Sequence, residues 1–378
     1  MNSTIREKIL SIILASFGYS VKVSGITSDD ITAILNIAKR QKILPVITVG
    51  LKKLGHSDLL TEELIKGEAK AVFDYTQRNV SLNEISDVLD KTSIPYIPLK
   101  GSVIRDLYPE PWMRTSSDID ILIHHEDIDK AIEVLESNTS FKYLSRELHD
   151  VHLVSDRVHL ELHFSFEYCV DKIDKALTNP WDNCIPMEKA YRYSFTPEYN
   201  LFYNVSHAAK HFIQNGGIGI RPILDLFLLR SKTVFDEEKV RSFCEEAGVL
   251  GFYETCCKLI DVWFYEGEHD ETSKIFEELV LSGGVFGSKH LKIVSNKRRD
   301  SGKKYISGRL FKSSKELKEY YPNCRKHPVL VPFYQVVRWT KVFKVKKTKS
   351  YINEFKQADA LDQAEVEKYD KLLKAMGL

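Results

Sequence analysis

Two aspartates separated by one residue, Asp118 and Asp120, are the side chains whose spacing most directly predicts chemistry in this chain. The segment 117–123 alternates polar and apolar residues, as a half-buried strand does, and residues two apart on a strand point to the same face. Neighbouring carboxylates repel each other unless a cation lies between them, and such oxygen ligands suit Mg²⁺ that bridges substrate phosphates. The Lys-Gly-Ser turn at 100–102 offers backbone N–H groups and a hydroxyl to a phosphate. Together the two motifs predict nucleotidyl transfer.

A later predicted strand, residues 158–166, carries His159, Glu161 and His163 on one face and apolar residues on the other. Three polar side chains on one face indicate a site rather than core, although an ordinary half-exposed strand would show the same pattern. A His-Glu-His strand could also bind Zn²⁺. We favour Mg²⁺ or Mn²⁺, because the neighbouring acidic side chains are hard ligands.

At these residues the chain resembles the DNA polymerase β-type nucleotidyltransferase superfamily. Members carry a Gly-Ser turn, then Asp-x-Asp or Asp-x-Glu on a strand, and a third acidic residue on a later strand. Within it, the chain is most similar to a bacterial family called uncharacterised nucleotidyltransferase. The matching motifs are Ile94-Pro95-Tyr96-Ile97-Pro98-Leu99-Lys100-Gly101, Arg114, the pair Asp118 and Asp120, and Glu161-Leu162-His163. The resemblance covers most of the chain and is sharpest at 94–163. The interval from Ser102 to Asp118 is longer than usual, and Glu161 stands where many relatives have Asp.

The resemblance implies an NTP substrate and a catalytic, metal-binding triad of Asp118, Asp120 and Glu161. Glu161 could also help to deprotonate an acceptor hydroxyl. Asp120→Asn is expected to abolish transfer and to leave the metal-free fold intact or even stabilised, because carboxylate repulsion is relieved. The side chains assigned to nucleotide binding are Lys100, Gly101, Ser102, Arg114, His163, His207, His211 and Arg221.

Each nucleotide-binding assignment has a plainer alternative. Lys100 and Arg114 could neutralise phosphate, Arg114 in bidentate fashion, or they could be surface cations. Ser102 could contact a phosphate and also cap a helix. The histidines at 207 and 211 share one helix face, and the arginine at 221 lies on the next helix. These three could line a cleft, or they could only make polar contacts between helices.

The composition excludes some classes of protein. No apolar run of the 378 residues approaches the ~20 that a membrane span needs, and the N-terminal segment makes a poor signal peptide. We therefore expect no membrane partner. Six cysteines show neither disulfide-framework spacing nor a C-x-x-C motif, which favours reduced thiols in the cytoplasm. The sequence indicates no oligomeric state.

The net charge of the chain is only +1, but its charges are unevenly distributed, and residues 289–349 form a basic segment. It holds 19 Lys and Arg residues against three acidic ones, a charge of +16. Such a segment can bind nucleic acid, an anionic surface or a triphosphate, or it can be a solvated surface. We favour a small-molecule acceptor, because the segment lacks dense aromatic residues for base stacking. The alternatives are transfer to tRNA or another macromolecule, and a non-catalytic nucleotide-binding or regulatory protein on the same scaffold.

The element pattern predicts an α+β protein, with a small mixed β-sheet flanked by N-terminal and C-terminal helical regions. The predicted units are a helical region at 1–92, a nucleotidyltransferase core at 93–196, and a C-terminal helical domain at 197–378 that contains the basic segment. Helices are predicted at 4–17, 28–39, 42–54, 61–91, 102–108, 126–137, 198–214, 221–231, 236–247, 250–267, 270–281, 328–345 and 353–376, strands at 96–99, 118–124, 141–145, 151–155 and 158–166, and a loop at 283–310.

Overall fold

A five-stranded sheet occupies the middle of the chain in the computed structural model. The structure describes residues 3–23, 25–166, 170–285, 287, 291–294, 317, 327–344 and 363–378. The strands are β1 (Tyr96–Pro98), β2 (Asp118–Ile123), β3 (Lys142–Arg146), β4 (Asp150–Val154) and β5 (His159–His163), in the spatial order β1-β2-β5-β4-β3. β2 and β5 are parallel and the other neighbours are antiparallel, so the predicted mixed sheet and the α+β class are confirmed.

Helices precede, interrupt and follow this sheet. They are α1 (Ser3–Ser16), α2 (Ser28–Gln41), α3 (Leu44–Lys53), α4 (Glu62–Lys91), α5 (Gly101–Ile104), α6 (Ile128–Asn138), α7 (Asp171–Ala176), α8 (Pro197–Asn215), α9 (Ile220–Lys232), α10 (Glu237–Glu246), α11 (Leu250–Phe264), α12 (Glu271–Ser282), α13 (Val331–Lys344) and α14 (Gln363–Ala375). A hairpin of β6 (Cys184–Pro186) and β7 (Tyr193–Phe195) precedes α8.

The sequence predicted most of these elements but missed α7 and the β6–β7 hairpin. The helix predicted at 102–108 is shorter, because α5 passes directly into a 3₁₀ helix at Arg105–Leu107. Most of the predicted loop at 283–310 and most of the basic segment lie outside the described residues. Within them, 291–294 is helical, which the loop prediction did not include. In the described part of the chain, no helix has the length and apolar character needed to cross a bilayer.

Local signals set the helix ends. The side chain of Thr27 caps α2 by accepting from the backbone N–H of Asp30, whose carboxylate accepts from the N–H of Thr27 in return. The helix predicted at 28–39 therefore begins where α2 does, at Ser28. Gly216 ends α8 in the left-handed region, with φ of 74°, a conformation that glycine adopts at little cost. The chain then turns directly into α9, which positions both helices beside the sheet.

Two hydrophobic clusters form the core. The apolar residues of β2, β4 and β5 pack with α4 and α6, which cover one face of the sheet. The second cluster joins α1–α3 to α8–α12. Buried Gln41 reinforces it, donating to the carbonyls of Val280 and Gly283 and accepting from the N–H of Ile220. The predicted division into three units stays a prediction, because packing alone does not measure independent folding.

Candidate active site

The polar residues of β2, β4 and β5 lie on the sheet face opposite the one that α4 and α6 cover. Asp120 pairs in register with Glu161, and His152 lies opposite Glu161 on the other side. Asp150 and His163 form the next row. Register partners on neighbouring strands point to the same face, so three strands contribute to one polar surface. It borders a cleft of about 260 Å³ that α8 and α9 close from the other side.

Asp120 is buried, and two side chains contact one of its oxygens. The Lys100 ammonium lies 2.7 Å from Asp120 Oδ1, and His163 Nε2 donates to the same oxygen at 3.0 Å. Burial acts to raise the pKa of Asp120, but the Lys100 charge and the hydrogen bond from His163 outweigh it and hold the pKa well below its usual range. Asp120 is therefore a carboxylate with positive charge already beside it.

Glu161 lies between two groups of histidines. Its Oε2 is 3.6 Å from His163 Nε2, while its Oε1 is 3.8 Å from His152 Nδ1 and 3.7 Å from His159 Nδ1. Burial would raise the pKa of Glu161, but the contact with His163 lowers it below its ordinary value. Asp120, Glu161 and His163 each offer a ligand atom within 4.8 Å of the others, close enough to share a metal ion.

Asp118 lines the same cleft but has different contacts. Its Oδ1 accepts from Ser116 Oγ and its Oδ2 from Ser117 Oγ, each at 3.0 Å. Among the described residues it belongs to no group of three ligands within 4.8 Å. The structure thus brings Asp120 and Glu161 together, and sets Asp118 at the beginning of the same strand. Sharing of one metal by all three carboxylates stays a prediction.

The predicted phosphate turn begins with an unusual backbone. Lys100 has φ of 46° and ψ of −117°, in the region that favours glycine, immediately before α5. This conformation accompanies the contact of its ammonium with Asp120. Gly101 and Ser102 are buried and are not among the residues that line the cleft. A Cβ on Gly101 would lie 2.5 Å from Arg114 Nη1, so its close packing is structural, and its phosphate role stays a prediction.

Arg114 lines the cleft but has a partner within the protein. Its Nη2 lies 2.8 Å from Asp225 Oδ2, its Nε donates to Asp225 Oδ1 at 3.3 Å, and the hydroxyl of Tyr108 donates to that same oxygen at 2.8 Å. Both members of the ion pair are almost completely buried. The guanidinium predicted to bind phosphate therefore joins the strand region to α9, with a bidentate geometry directed at a carboxylate.

The wall formed by α8 and α9 presents His207, His211 and Arg221 to the cleft, together with Lys210. Burial lowers the pKa of His207 well below its usual value and that of His211 to about 3, so both imidazoles are neutral. Burial also lowers the pKa of Arg221 to about 10. The structure thus places these predicted residues in the same cleft as Asp118, while their roles in binding stay predictions.

Sequence reasoning did not single out several lining residues, among them Lys42, His149, Asp150 and Asn204. A signal was present for Asp150. On β4, Asp150 and His152 alternate with buried Val151 and Leu153, which is the pattern that drew attention to β5.

A protein-family model matches the part of the chain that contains this sheet and most of the residues of the cleft. The model of the family described as uncharacterised nucleotidyltransferase matches residues 27–265, more than half of the chain. The chain therefore belongs to this family and is a nucleotidyltransferase enzyme.

Two solved structures resemble the fold at low similarity. The antibiotic-resistance factor ANT(2'')-Ia is 15% identical with a TM-score of 0.35, over 47% of this chain and 94% of that one. An antigenic nucleotidyltransferase-like protein from Paracoccidioides brasiliensis is 17% identical with a TM-score of 0.30, over 43% and 86%. Values this low assign no residue a role. No curated protein matches the chain.

Proposed function

We propose that this enzyme transfers a nucleoside monophosphate from an NTP to a small-molecule acceptor, with Mg²⁺ or Mn²⁺ as its cofactor. The observation that carries the proposal is the pairing of Asp120 with Glu161 across two parallel strands. Their carboxylates share a cleft with Lys42, Lys100 and other basic side chains, which suits a polyphosphate.

The donor atoms fit a hard divalent cation. Asp120 and Glu161 lie within the distance at which two ligands share an ion, and the serine-bound carboxylate of Asp118 lines the same cleft. Such a cation, held by these oxygens, would neutralise charge on the phosphates and the leaving pyrophosphate. The Lys100 ammonium lies against Asp120 at 2.7 Å, so a positive charge already compensates this buried carboxylate.

The other side chains of the cleft can contact the phosphates and the acceptor. Lys100 can move from Asp120 to a phosphate oxygen, while Lys210 and Arg221 face the cleft from the helical wall. Neutral His207 and His211 can offer hydrogen bonds without adding charge. The carboxylate of Glu161 can accept a proton from an acceptor hydroxyl.

The decisive experiment incubates the protein with each α-labelled NTP, Mg²⁺ or Mn²⁺, and a panel of hydroxyl-bearing small molecules. We expect labelled product with one or more acceptors, loss of product on chelation, and loss in Asp120→Asn and Glu161→Gln. Asp156→Asn changes an exposed acid between β4 and β5 and should keep activity. If both site variants remain as active as the wild type, the assignment of the carboxylates is wrong.

A macromolecular acceptor is the second candidate, and the +16 charge of the basic segment favours it. Each phosphate contact releases counterions, so binding of RNA through this segment would weaken by orders of magnitude between roughly 50 and 200 mM salt. Charge reversal of Lys297, Arg298 and Arg299 to Glu would then remove binding. Transfer activity that depends neither on salt concentration nor on this triple change supports the small acceptor. Tight RNA binding that the triple change abolishes would favour the macromolecular acceptor.

A cytoplasmic location completes the proposal. Cys184, Cys244, Cys256 and Cys257 are free thiols, as expected of a reducing compartment.

A further inference from the structure

A second cluster of metal-ligand side chains lies one strand beyond Glu161, at His149, Asp150 and His163. Asp150 pairs with His163 across β4 and β5, and His149 directly precedes β4. Asp150 Oδ2 is 3.3 Å from His149 Nε2 and 3.8 Å from His163 Nδ1. The three side chains each offer one ligand atom within 4.8 Å of the others, and all three line the cleft.

Burial removes water from the polar atoms of this cluster, and other groups must replace the lost hydration. Asp150 and His163 are each 4% exposed. Within the described residues, His163 Nδ1 is buried and has no hydrogen-bond partner, and Asp150 Oδ1 has only an ion-pair contact, with His152 Nε2 at 3.2 Å. A buried carboxylate loses several kcal/mol of hydration unless a charge or a donor replaces the water. The ionisable groups nearest to Asp150 are imidazoles, which are themselves ligands for metals.

The donor types differ from those of the carboxylate site. Two imidazole nitrogens and one carboxylate oxygen form a borderline set, which suits Zn²⁺ better than Mg²⁺. Ligand atoms bound at about 2.0 Å in a tetrahedron lie about 3.3 Å apart, near the separations seen here.

The Nε2 atom of His163, which faces away from this cluster, has a carboxylate partner, as the second ring nitrogen of a metal-bound histidine commonly does. It donates to Asp120 Oδ1 at 3.0 Å, which leaves Nδ1 as the nitrogen directed at Asp150. Histidines that bind zinc commonly donate their second N–H to a carboxylate, which fixes the ring and its tautomer. Asp120 would thus orient a ligand of this second site in addition to facing Glu161.

We propose that His149, Asp150 and His163 form a second metal site for a Zn²⁺-class transition ion, beside the oxygen site of Asp120 and Glu161. Three protein ligands leave one coordination position that water can fill. This site does not depend on nucleotidyl transfer, because it rests on the ligand geometry of β4 and β5.

The test uses untagged, chelator-treated full-length protein, since a polyhistidine tag would itself bind the ion. Zn²⁺ bound per chain is measured by equilibrium dialysis and elemental analysis, with excess Mg²⁺ present to occupy oxygen sites. Co²⁺ is titrated in parallel, because its visible absorption reports tetrahedral nitrogen and oxygen ligands. We expect one Zn²⁺ per chain, and an intense Co²⁺ band that Zn²⁺ displaces.

Variants locate the ion. His149→Gln and Asp150→Asn should each lose binding, with folding verified by circular dichroism and thermal unfolding. His159→Gln changes a histidine on the same strand and face as His163 but outside the cluster, so it should keep binding, as should Asp118→Asn. Binding that survives in a folded His149→Gln variant, or that disappears in His159→Gln or Asp118→Asn, would place the ion elsewhere and overturn the proposal. So would wild-type protein that binds no Zn²⁺.

Discussion

Asp120 and Glu161 lie directly opposite each other on the parallel strands β2 and β5, so their carboxylates leave the same face of the sheet. A shift of one residue in this register would turn one of them toward α4 and α6. The alternating isoleucines of β2 prevent that shift, because they would then lose their burial against those helices. The hydrophobic pattern therefore fixes the relative position of two acids that are 41 residues apart in the sequence.

Asp120→Asn tests the charge at this position. We expect transfer to fall by about 10²–10³-fold or more, as for removal of a central electrostatic group. The sequence alone predicted that relief of repulsion would preserve or raise stability. The contacts of Asp120 with Lys100 and His163 reverse that expectation. Because the variant leaves a partly buried ammonium without its partner, the metal-free protein should lose about 2–3 kcal/mol in urea unfolding.

Asp156→Asn is the control for both measurements and should change neither. An Asp120→Asn protein that is more stable than the wild type without metal would show that repulsion dominates after all.

Two substitutions of Lys100 distinguish the effect of its charge on activity from the effect of its backbone conformation on stability. Lys100→Met and Lys100→Gly both remove the ammonium, so both should lose similar activity. Only the glycine relieves the positive-φ backbone, with φ of 46° and ψ of −117°, which costs a non-glycine residue about 1–3 kcal/mol. Lys100→Gly should therefore be about 1 kcal/mol more stable than Lys100→Met in urea unfolding. The reverse order would contradict the proposed strain.

Much of the site was predictable from periodicity, and the remainder was not. Alternation along β2 and β5 is a local property, so the sequence by itself indicated Asp120, Glu161 and His163. Asp150 shows the same alternation on β4, but its place beside His163 depends on strand order, which no local pattern specifies. The partner of Arg114 lies on α9 and depends on the packing of the whole chain.

Short elements were missed for a related reason. The six residues of α7 and the three-residue strands of the β6–β7 hairpin are too brief to establish a period. Their neighbours in the fold, rather than their own sequence, determine their structure.

The ion pair of Arg114 and Asp225 should contribute strongly to stability. The side chains are 9% and 8% exposed, and breaking such a pair leaves one charge buried. We expect Asp225→Asn to cost about 3 kcal/mol, and a double-mutant cycle with Arg114→Met to give a coupling of about 2 kcal/mol. Urea unfolding of the four proteins measures both.

The pair Arg146–Asp129 provides a matched control. Its N···O distance is also 2.8 Å, but its side chains are 37% and 84% exposed. The same cycle at this pair should give less than about 1 kcal/mol. Equal coupling energies at the two pairs would mean that burial does not control the contribution of Arg114.

His211 should make stability depend on pH. Burial, together with the charges of Lys210, Lys100 and Arg221, lowers its folded-state pKa to about 3, while an unfolded histidine titrates near about 6.5. Its Nδ1 accepts from Asn215 Nδ2 at 2.7 Å, a bond that only the neutral ring can make. Between these pKa values the unfolded chain binds the extra proton, so stability is complete above pH ~6.5 and falls as pH decreases.

Replacement of His211 by Gln removes this term, because glutamine does not titrate and its amide oxygen can still accept from Asn215. As pH decreases from ~6 to ~5, we expect the unfolding free energy of the wild type to fall by about 1 kcal/mol per pH unit relative to that of the variant. The same difference should stay constant between pH ~7.5 and pH ~8.5, where neither state of this histidine takes up a proton. Urea unfolding at these four pH values measures it. A difference that is flat across all of them would mean that His211 is readily protonated in the folded cleft, and would rule out a neutral imidazole at this position of the wall formed by α8 and α9.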